Sequence, residues 1–593
     1  MTGSAGSNPR RGTGGSFLIE NVAPGDIFTL EDLSDVQRQI ERTTSEFAEK
    51  QIQPQIAAIE AKDFNVTKSL LRKAGELGLM GIDVPEEYGG LQMDKTTSAL
   101  IAENIAICGS FSVSFSAHVG IGTLPLVWYG TPEQKRKYLP RLASGEWTSA
   151  YALSEASSGS DAMNIRTQAR LSADGKYYVL NGEKMWTSNA GIANLFTVFA
   201  KIDGEKFAAF LIEAGTAGMT VGPEEHKMGI RGSSTCPLSL AECKVPVENL
   251  LGEAGKGHRI AFNILNVGRY KLGAAAIGSA KYALRSGIRY ARERIAFGKP
   301  IASFGLVQQM IAESAAGIFA GESLVYRVVG AIDASLAQLE KGGAAPTEEI
   351  QKRIEEYAVE CSIVKVWCSE MLERVVDNGV QLHGGYGYVE DYSAERSYRD
   401  SRINRIFEGT NEINRLIITG WTMKRATEGK LALLPAIQGV MGEVLAGPKV
   451  REQREGGLGE QYFLLASAKK LALFCAGAAS ERFGAELAEQ QEVMGALADM
   501  IMEVLVLESA ILRVEKMLGR SPLAVRMAQY YASRSFRILE TSAEQILGAA
   551  AEGDMLRTRM AIFRRLTKHE PANTVALGQE IAKAMTEAGR YTL

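Results

Sequence analysis

Glu408 lies in the string RINRIFEGTNEINRLII (402–418), between the apolar pair Ile406-Phe407 and a Gly409-Thr410 step. Apolar neighbours penalise an ionised carboxylate and lift its pKa, which suits a base working near neutrality. Gly409 lets the backbone come close to a substrate. The same residues also describe an ordinary acid near a helix N-terminus, held by the macrodipole. A second string, YALSEASSGSDAMNIRT (151–167), sets Ser154, Ser157, Ser158 and Ser160 around Gly159, with Asp161 behind. Hydroxyls and backbone N–H groups beside a glycine suit a pyrophosphate or the polar rim of a ring cofactor. They suit a loop of Asx and Ser turns equally well.

Two further strings invite contacts with anions. In QLHGGYGYVEDYSAERSYRD (381–400), Gly384, Gly385 and Gly387 imitate part of a dinucleotide fingerprint. That fingerprint must follow a strand, and this one follows a long helical pattern, so a Rossmann reading fails. What stays open is a glycine-rich helix C-terminus that admits a phosphate, or a plain cap and turn. The charged residues Glu390, Asp391, Glu395, Arg396, Arg399 and Asp400 read as a salt-bridged surface. In RERIAFGKP (292–300), Gly298 reads as a C-cap and Pro300 as a stop, with Arg294 as the one anion contact.

The elements that must position these residues change character along the chain. Residues 1–29 read as a disordered or extended segment, opening on the Gly/Ser-rich MTGSAGSNPRRGTGGS. Residues 30–149 carry helical periodicity, including Ser34 to Ile59, Thr67 to Leu79 and Thr97 to Ile107, and Thr131-Pro132-Glu133 opens another helix. Between 150 and 256, short apolar runs such as LFTVFA and FAAFLI are punctuated by Asp174-Gly175, Asn181-Gly182 and Asp203-Gly204. Such dipeptides predict hairpins, hence a middle antiparallel β domain. From 257 to 425, amphipathic stretches at 258–293, 303–340, 347–382 and 411–425 predict a four-helix bundle. The polar run GPKVREQREGGLGE (447–460) interrupts an additional helical domain over 426–593. The fold class is therefore mainly α with one β domain.

Composition narrows the function. The 593 residues carry 66 Lys+Arg against 69 Asp+Glu, so no overall field recruits nucleic acid or an anionic membrane. Residues 426–593 are balanced at 20 of each sign, against a DNA-binding tail. Six scattered cysteines and five scattered histidines form neither a disulfide framework nor a metal site, and they fit a reducing, cytoplasmic setting. No apolar run comes near the roughly 18 residues of a spanning helix, so membrane contact, around 437–485, is expected to be peripheral at most.

Together and in this order the four strings resemble the acyl-CoA dehydrogenase family over about residues 30 to 425. SEASSGSD is similar to that family's first signature, and Q-x-x-GG-x-G with the following Asp, Arg and Asp to its second. FEGT is similar to the loop that bears the catalytic base. The extra C-terminal domain, FGLVQ and IFEGTN resemble the very-long-chain branch.

The resemblance implies FAD bound between the β domain and the bundle, lined by Tyr151, Leu153, Ser154 and Ser160 on one side and by Trp186 and Ser188 on the other. Thr410 and Glu412 are expected to approach the same cofactor. Arg294, Phe297, Gln381, Gly384 and Gly385 are implied contacts to the FAD of a partner subunit in a homodimer. Ser160, Arg269, Glu408 and Gly409 are implied substrate contacts. Some relatives carry the base on the helix that holds Arg269; the position before it here is Gly268, which leaves Glu408 for that role. The implied reaction is α,β-dehydrogenation of a long-chain fatty acyl-CoA, the first step of β-oxidation. Glu408 takes the α-proton, flavin takes the β-hydride, and electrons pass to an electron-transfer flavoprotein. An acyl-CoA oxidase and a non-catalytic scaffold that keeps the fold are the competing readings.

Overall fold

A computed structural model describes residues 14–340, 347–446 and 457–593. The tail 1–13 and most of GPKVREQREGGLGE lie outside the described residues. Seven helices come first: α1 (Asp35–Phe47), α2 (Ile56–Glu60), α3 (Phe64–Glu76), α4 (Lys95–Asn104), α5 (Gly109–Ala117), α6 (Leu124–Tyr129) and α7 (Pro132–Ala143). Four of the seven start on a side-chain cap. Ser34 and Gln37 form a reciprocal capping box on α1, Asp94 caps α4, and Thr131 caps α7 ahead of Pro132. Residues 14–29 are not a loose tail. Phe17 and Leu18 are buried, and the Gly14 and Gly15 N–H groups donate to Glu356 and Glu360. Two apolar side chains within a polar stretch are enough to tie it down.

The middle domain comprises β1 (Ser149–Ala152), β2 (Gln168–Leu171), β3 (Tyr177–Ser188), β4 (Leu195–Ile202), β5 (Lys206–Glu213), β6 (Met219–Val221), β7 (Thr235–Pro246) and β8 (Leu250–Leu251). Their order is β6-β7-β3-β2-β4-β5-β8, with β1 also on β4. The expectation of an antiparallel sheet needs correction, because β1 and β2 both run parallel to β4. Asp174-Gly175 and Asp203-Gly204 do turn hairpins, β2–β3 and β4–β5. Asn181-Gly182 does not: it sits inside β3 at a register shift. Gly182 takes a φ of 151°, and a Cβ there would fall 2.6 Å from Thr167 Oγ1. Close backbone approach at a bulge explains that glycine.

The bundle contains α8 (Gly257–Glu293), α9 (Gly305–Glu340), α10 (Thr347–Glu356), α11 (Ala358–His383), α12 (Ser393–Ser401) and α13 (Asn411–Thr427). The stretch read as one helix over 347–382 is two, broken at Tyr357. Nor does Gly298 cap α8, which ends at Glu293. Phe297 and Gly298, with φ of 51° and 79°, form the two-residue turn of a hairpin, β9 (Ile295–Ala296) and β10 (Lys299–Pro300). Two successive positive φ values are what such a turn requires.

Six more helices follow: α14 (Leu433–Ala446), α15 (Gly459–Phe483), α16 (Gln491–Lys516), α17 (Pro522–Ala550), α18 (Gly553–Leu566) and α19 (Thr574–Ala588). They share one continuous apolar core with the bundle. Buried ion pairs such as Arg327–Glu508 at 2.6 Å and Arg513–Glu322 at 2.8 Å cross that junction. Three stretches, Gly109–Tyr129, Gly305–Leu339 and Gly459–Glu489, have the length and mean hydropathy of a membrane span, contrary to the sequence expectation. Their apolar windows are 83, 89 and 72% buried inside the protein. A helix apolar on all sides belongs in a core of this size as much as in lipid.

Candidate active site

Glu408 closes the turn between α12 and α13, with a φ of 59° followed by 79° at Gly409. A left-handed conformation at a residue with a Cβ costs about 1–2 kcal/mol, so the surroundings must hold it. Three side chains take the carbonyls of this turn. Arg269 Nε of α8 donates to the Glu408 carbonyl at 3.3 Å. Lys365 Nζ of α11 donates to the Gly409 carbonyl at 2.7 Å. Asn414 Nδ2 reaches the Gly409 and Thr410 carbonyls at 2.8 and 3.0 Å. Thr410 caps α13 by accepting from the Ile413 N–H, which fixes where the turn ends.

The carboxylate points inward. Glu408 Oε2 is out of solvent contact and accepts no hydrogen bond among the described residues. Burial pushes this carboxyl up to about 7, against the pull of Arg269 and Lys365. Burial likewise brings the Lys365 ammonium down to about 7. Room for the carboxylate comes from Gly268, where an added Cβ would sit 2.6 Å from Glu408 Oε2. The position at which some relatives carry their base therefore faces Glu408 directly, one space serving either arrangement.

Glu408 and Ser188 line one cleft. It follows α8 from Gly268 to Tyr282 and is walled by Ser112 and Ser116 of α5 and by Leu372 and Val376 of α11. Arg396 and Asp400, expected on a charged surface, line this cleft instead. Asp400 is buried and accepts from the Ile230 N–H, and burial with Glu60 nearby pushes it up to about 7. The expected pairing holds for Arg399 with Glu395, at 2.6 Å, and for exposed Glu390 with Arg231, at 3.4 Å.

The implied flavin contacts fall into two groups. Met185 N–H donates to the Ser154 carbonyl, and Lys184 Nζ to the Leu153 carbonyl, which brings the 151–154 segment against 184–188. Tyr151 Oη is buried without a partner among the described residues, as is Thr187 Oγ1. Burial, with the charge of Glu408, raises the Tyr151 phenol well above its ordinary value. Trp186 is 58% exposed on a backbone with φ of 54°, and Ser160 and Glu412 are exposed. Trp186, Thr187 and Ser188 follow one another on β3, Ser188 lines the cleft with Glu408, and Tyr151 lies close enough to Glu408 to feel its charge. An exposed aromatic face and unpaired hydroxyls suit a flavin ring. Arg294, Phe297, Gln381, Gly384 and Gly385 lie exposed together at the end of the bundle, with the Arg294 guanidinium 6.0 Å from the Tyr386 ring centre. A Cβ at Gly384 or Gly385 would meet nothing, so that face is open.

Sequence reading missed Lys365, Asn266, Asn411 and Asn414. Lys365 is a lone cation in the apolar run CSIVKVWC, a signal that was present. Asn266 orients Arg269 through its Nη1 at 2.9 Å, and no pattern in the sequence marks it.

A buried carboxylate without a hydrogen bond, opening on a cleft that runs along α8, is the arrangement a proton-abstracting enzyme needs. Models of the acyl-CoA dehydrogenase N-terminal, middle and C-terminal domains match residues 34–146, 150–243 and 255–423, and a further C-terminal model matches 467–565. A probable acyl-CoA dehydrogenase of Bacillus subtilis is 46% identical over 98% of both chains. The human mitochondrial very long-chain specific enzyme is 36% identical over 68% of this chain and 60% of its own. The crystal structure of an acyl-CoA dehydrogenase complexed with FAD from Bacillus anthracis superposes with a TM-score of 0.95 at 46% identity, covering 98% of this chain and 100% of that one. The chain belongs to the acyl-CoA dehydrogenase family, and its cofactor is FAD.

Proposed function

We propose that this protein dehydrogenates long-chain fatty acyl-CoA to the trans-2-enoyl thioester, as the entry to β-oxidation, and hands its electrons to an electron-transfer flavoprotein. The length of the cleft supports the substrate class. From Gly268 to Tyr282 it follows α8 for about 21 Å at 1.5 Å per residue. An extended alkyl chain advances slightly less per carbon than a helix per residue, so this depth suits roughly C14 or longer.

In this reading Glu408 removes the α-proton, and its raised pKa makes it a strong enough base near neutrality. The Glu408 N–H, which has no protein acceptor among the described residues, donates to the thioester carbonyl and stabilises the enolate-like charge that develops there. Arg269, Lys365 and Asn414 keep that N–H and the carboxylate in fixed relation by holding the carbonyls around them. Bound FAD supplies the acceptor for the β-hydride.

Anaerobic addition of palmitoyl-CoA to the purified yellow protein tests this. Bleaching of the flavin, with colour returned by an electron-transfer flavoprotein and not by air, is the expected result. Rapid recovery in air would mean an oxidase, and no bleaching with any acyl-CoA a scaffold.

A further inference from the structure

Lys365 is fully buried on α11. Its ammonium donates to the Gly409 carbonyl and to Asn411 Oδ1, both at 2.7 Å. One contact takes the peptide after the base and the other the first residue of α13. Asn411 Nδ2 donates to Glu370 Oε1 at 2.9 Å. Glu370 receives the Arg415 guanidinium at two points, 2.7 and 3.0 Å. Arg415 Nε in turn reaches Asp499 Oδ1 at 2.8 Å. Asp499 stands on α16, in the C-terminal domain, none of whose described residues lines the cleft.

We propose that Lys365 is the positioning residue of the base turn, and that the C-terminal domain acts on Glu408 through the relay Asp499–Arg415–Glu370–Asn411–Lys365. This rests on the reading of Glu408 as the base. A residue held at positive φ relaxes once its carbonyl ties are cut, and a displacement of about 1 Å at a reacting group costs about 10²-fold in rate. A lysine meets both acceptors at once, the Gly409 carbonyl and Asn411 Oδ1. The charged and titratable groups facing Glu408 are Arg269 from α8, Lys365 from α11 and Tyr151 from β1. Those facing Lys365 are Glu408, Arg269, Glu412 and Glu370. While it is protonated, Lys365 adds a positive field that favours the ionised form of Glu408.

The full-length flavin-loaded protein carries the test. Infrared titration follows the Glu408 carboxyl, identified as the band lost in Glu408→Gln, beside kcat and KM for palmitoyl-CoA. Lys365→Met keeps the length and removes charge and donor. The Glu408 midpoint rises by about one unit and kcat falls about 10²-fold, with KM within about threefold. Lys365→Gln returns a donor without the charge, recovering part of kcat while the midpoint stays high. Asp499→Asn, at the half-buried outer end, lowers kcat about fivefold with unchanged flavin content. An unmoved Glu408 midpoint in Lys365→Met overturns the role of Lys365. Wild-type kcat in Asp499→Asn overturns the role of the domain, and that variant decides the relay even where Lys365→Met does not fold. If the wild-type protein oxidises no acyl-CoA while the infrared midpoint still shifts, the proposed function falls and the positioning role of Lys365 stands.

Discussion

Removing Glu408 Oε2 from solvent without a hydrogen bond has a thermodynamic consequence as well as a catalytic one. The folded pKa, about 7, lies above the ordinary 4.5 of the unfolded chain. The folded state therefore binds a proton more tightly, and ionisation subtracts stability as pH rises from about 4.5 to about 7. At 1.36 kcal/mol per unit the loss is about 3 kcal/mol once both states are ionised. Glu408→Gln cannot ionise. Its stability relative to the wild type should be near parity at pH 4.5 and higher by about 3 kcal/mol at pH 8, read by denaturant unfolding at both values. Over the same range kcat/KM of the wild type climbs through about pH 7, and the variant loses about 10²–10⁴-fold in kcat. A variant that keeps a tenth of the activity, or gains no relative stability at high pH, refutes the role. Glu408 was legible through the likeness of FEGT to the family's base-bearing loop, since by itself it reads as an ordinary acid near a helix N-terminus. The ties from Arg269 and Lys365 were not, because they join residues 139 and 44 positions apart across α8 and α11; Asn414 is close in sequence, but nothing in the pattern marks its reach back to the Gly409 carbonyl.

At the scale of elements, periodicity foretold helices wherever one face is apolar, and it failed where backbone geometry decides. The Phe297-Gly298 turn shows this: a Gly-x-Pro string after a helix reads as a stop, yet a hairpin is made there by two left-handed residues. The parallel placement of β1 and β2 on β4 was equally hidden, since a strand's direction leaves no mark on its alternation. The small residues of α5 were legible and bear on specificity. Ser112 and Ser116 line the cleft that runs along α8, so a larger side chain at either position shortens it. Ser116→Phe that blocks about four methylenes forfeits about 3 kcal/mol of burial, or about 10²-fold in kcat/KM for palmitoyl-CoA. Octanoyl-CoA, which does not reach so far, should be spared. Steady-state assays with C8 and C16 substrates decide it: equal losses on both would mean that α5 does not set the depth, and a wild-type optimum at C4 would remove the long-chain reading.

For the whole molecule, the decisive feature is which faces of the bundle remain free. The C-terminal domain covers one of them: Thr419 Oγ1 donates to the Met494 carbonyl, Trp367 Nε1 to Glu503, and the apolar core continues from bundle to domain without interruption. That face cannot also serve as a contact between subunits. Elsewhere on the bundle, Phe297 is 96% exposed, Tyr388 87% and Leu306 78%, and Arg294 and the Gly384–Gly385 turn are exposed too. Aromatic and aliphatic side chains left in water around an arginine and an open glycine turn mark an interaction surface. One covered face and one free apolar face predict a homodimer, in which these residues complete the flavin groove of the partner subunit. Light scattering on the purified protein should give the mass of two chains. Phe297→Asp should lower that mass at micromolar concentration and release flavin on gel filtration, because the same side chain serves both contacts. A mass near four chains would mean that the C-terminal domain leaves a second face free, and a dimeric Phe297→Asp that retains its flavin would place the subunit contact elsewhere.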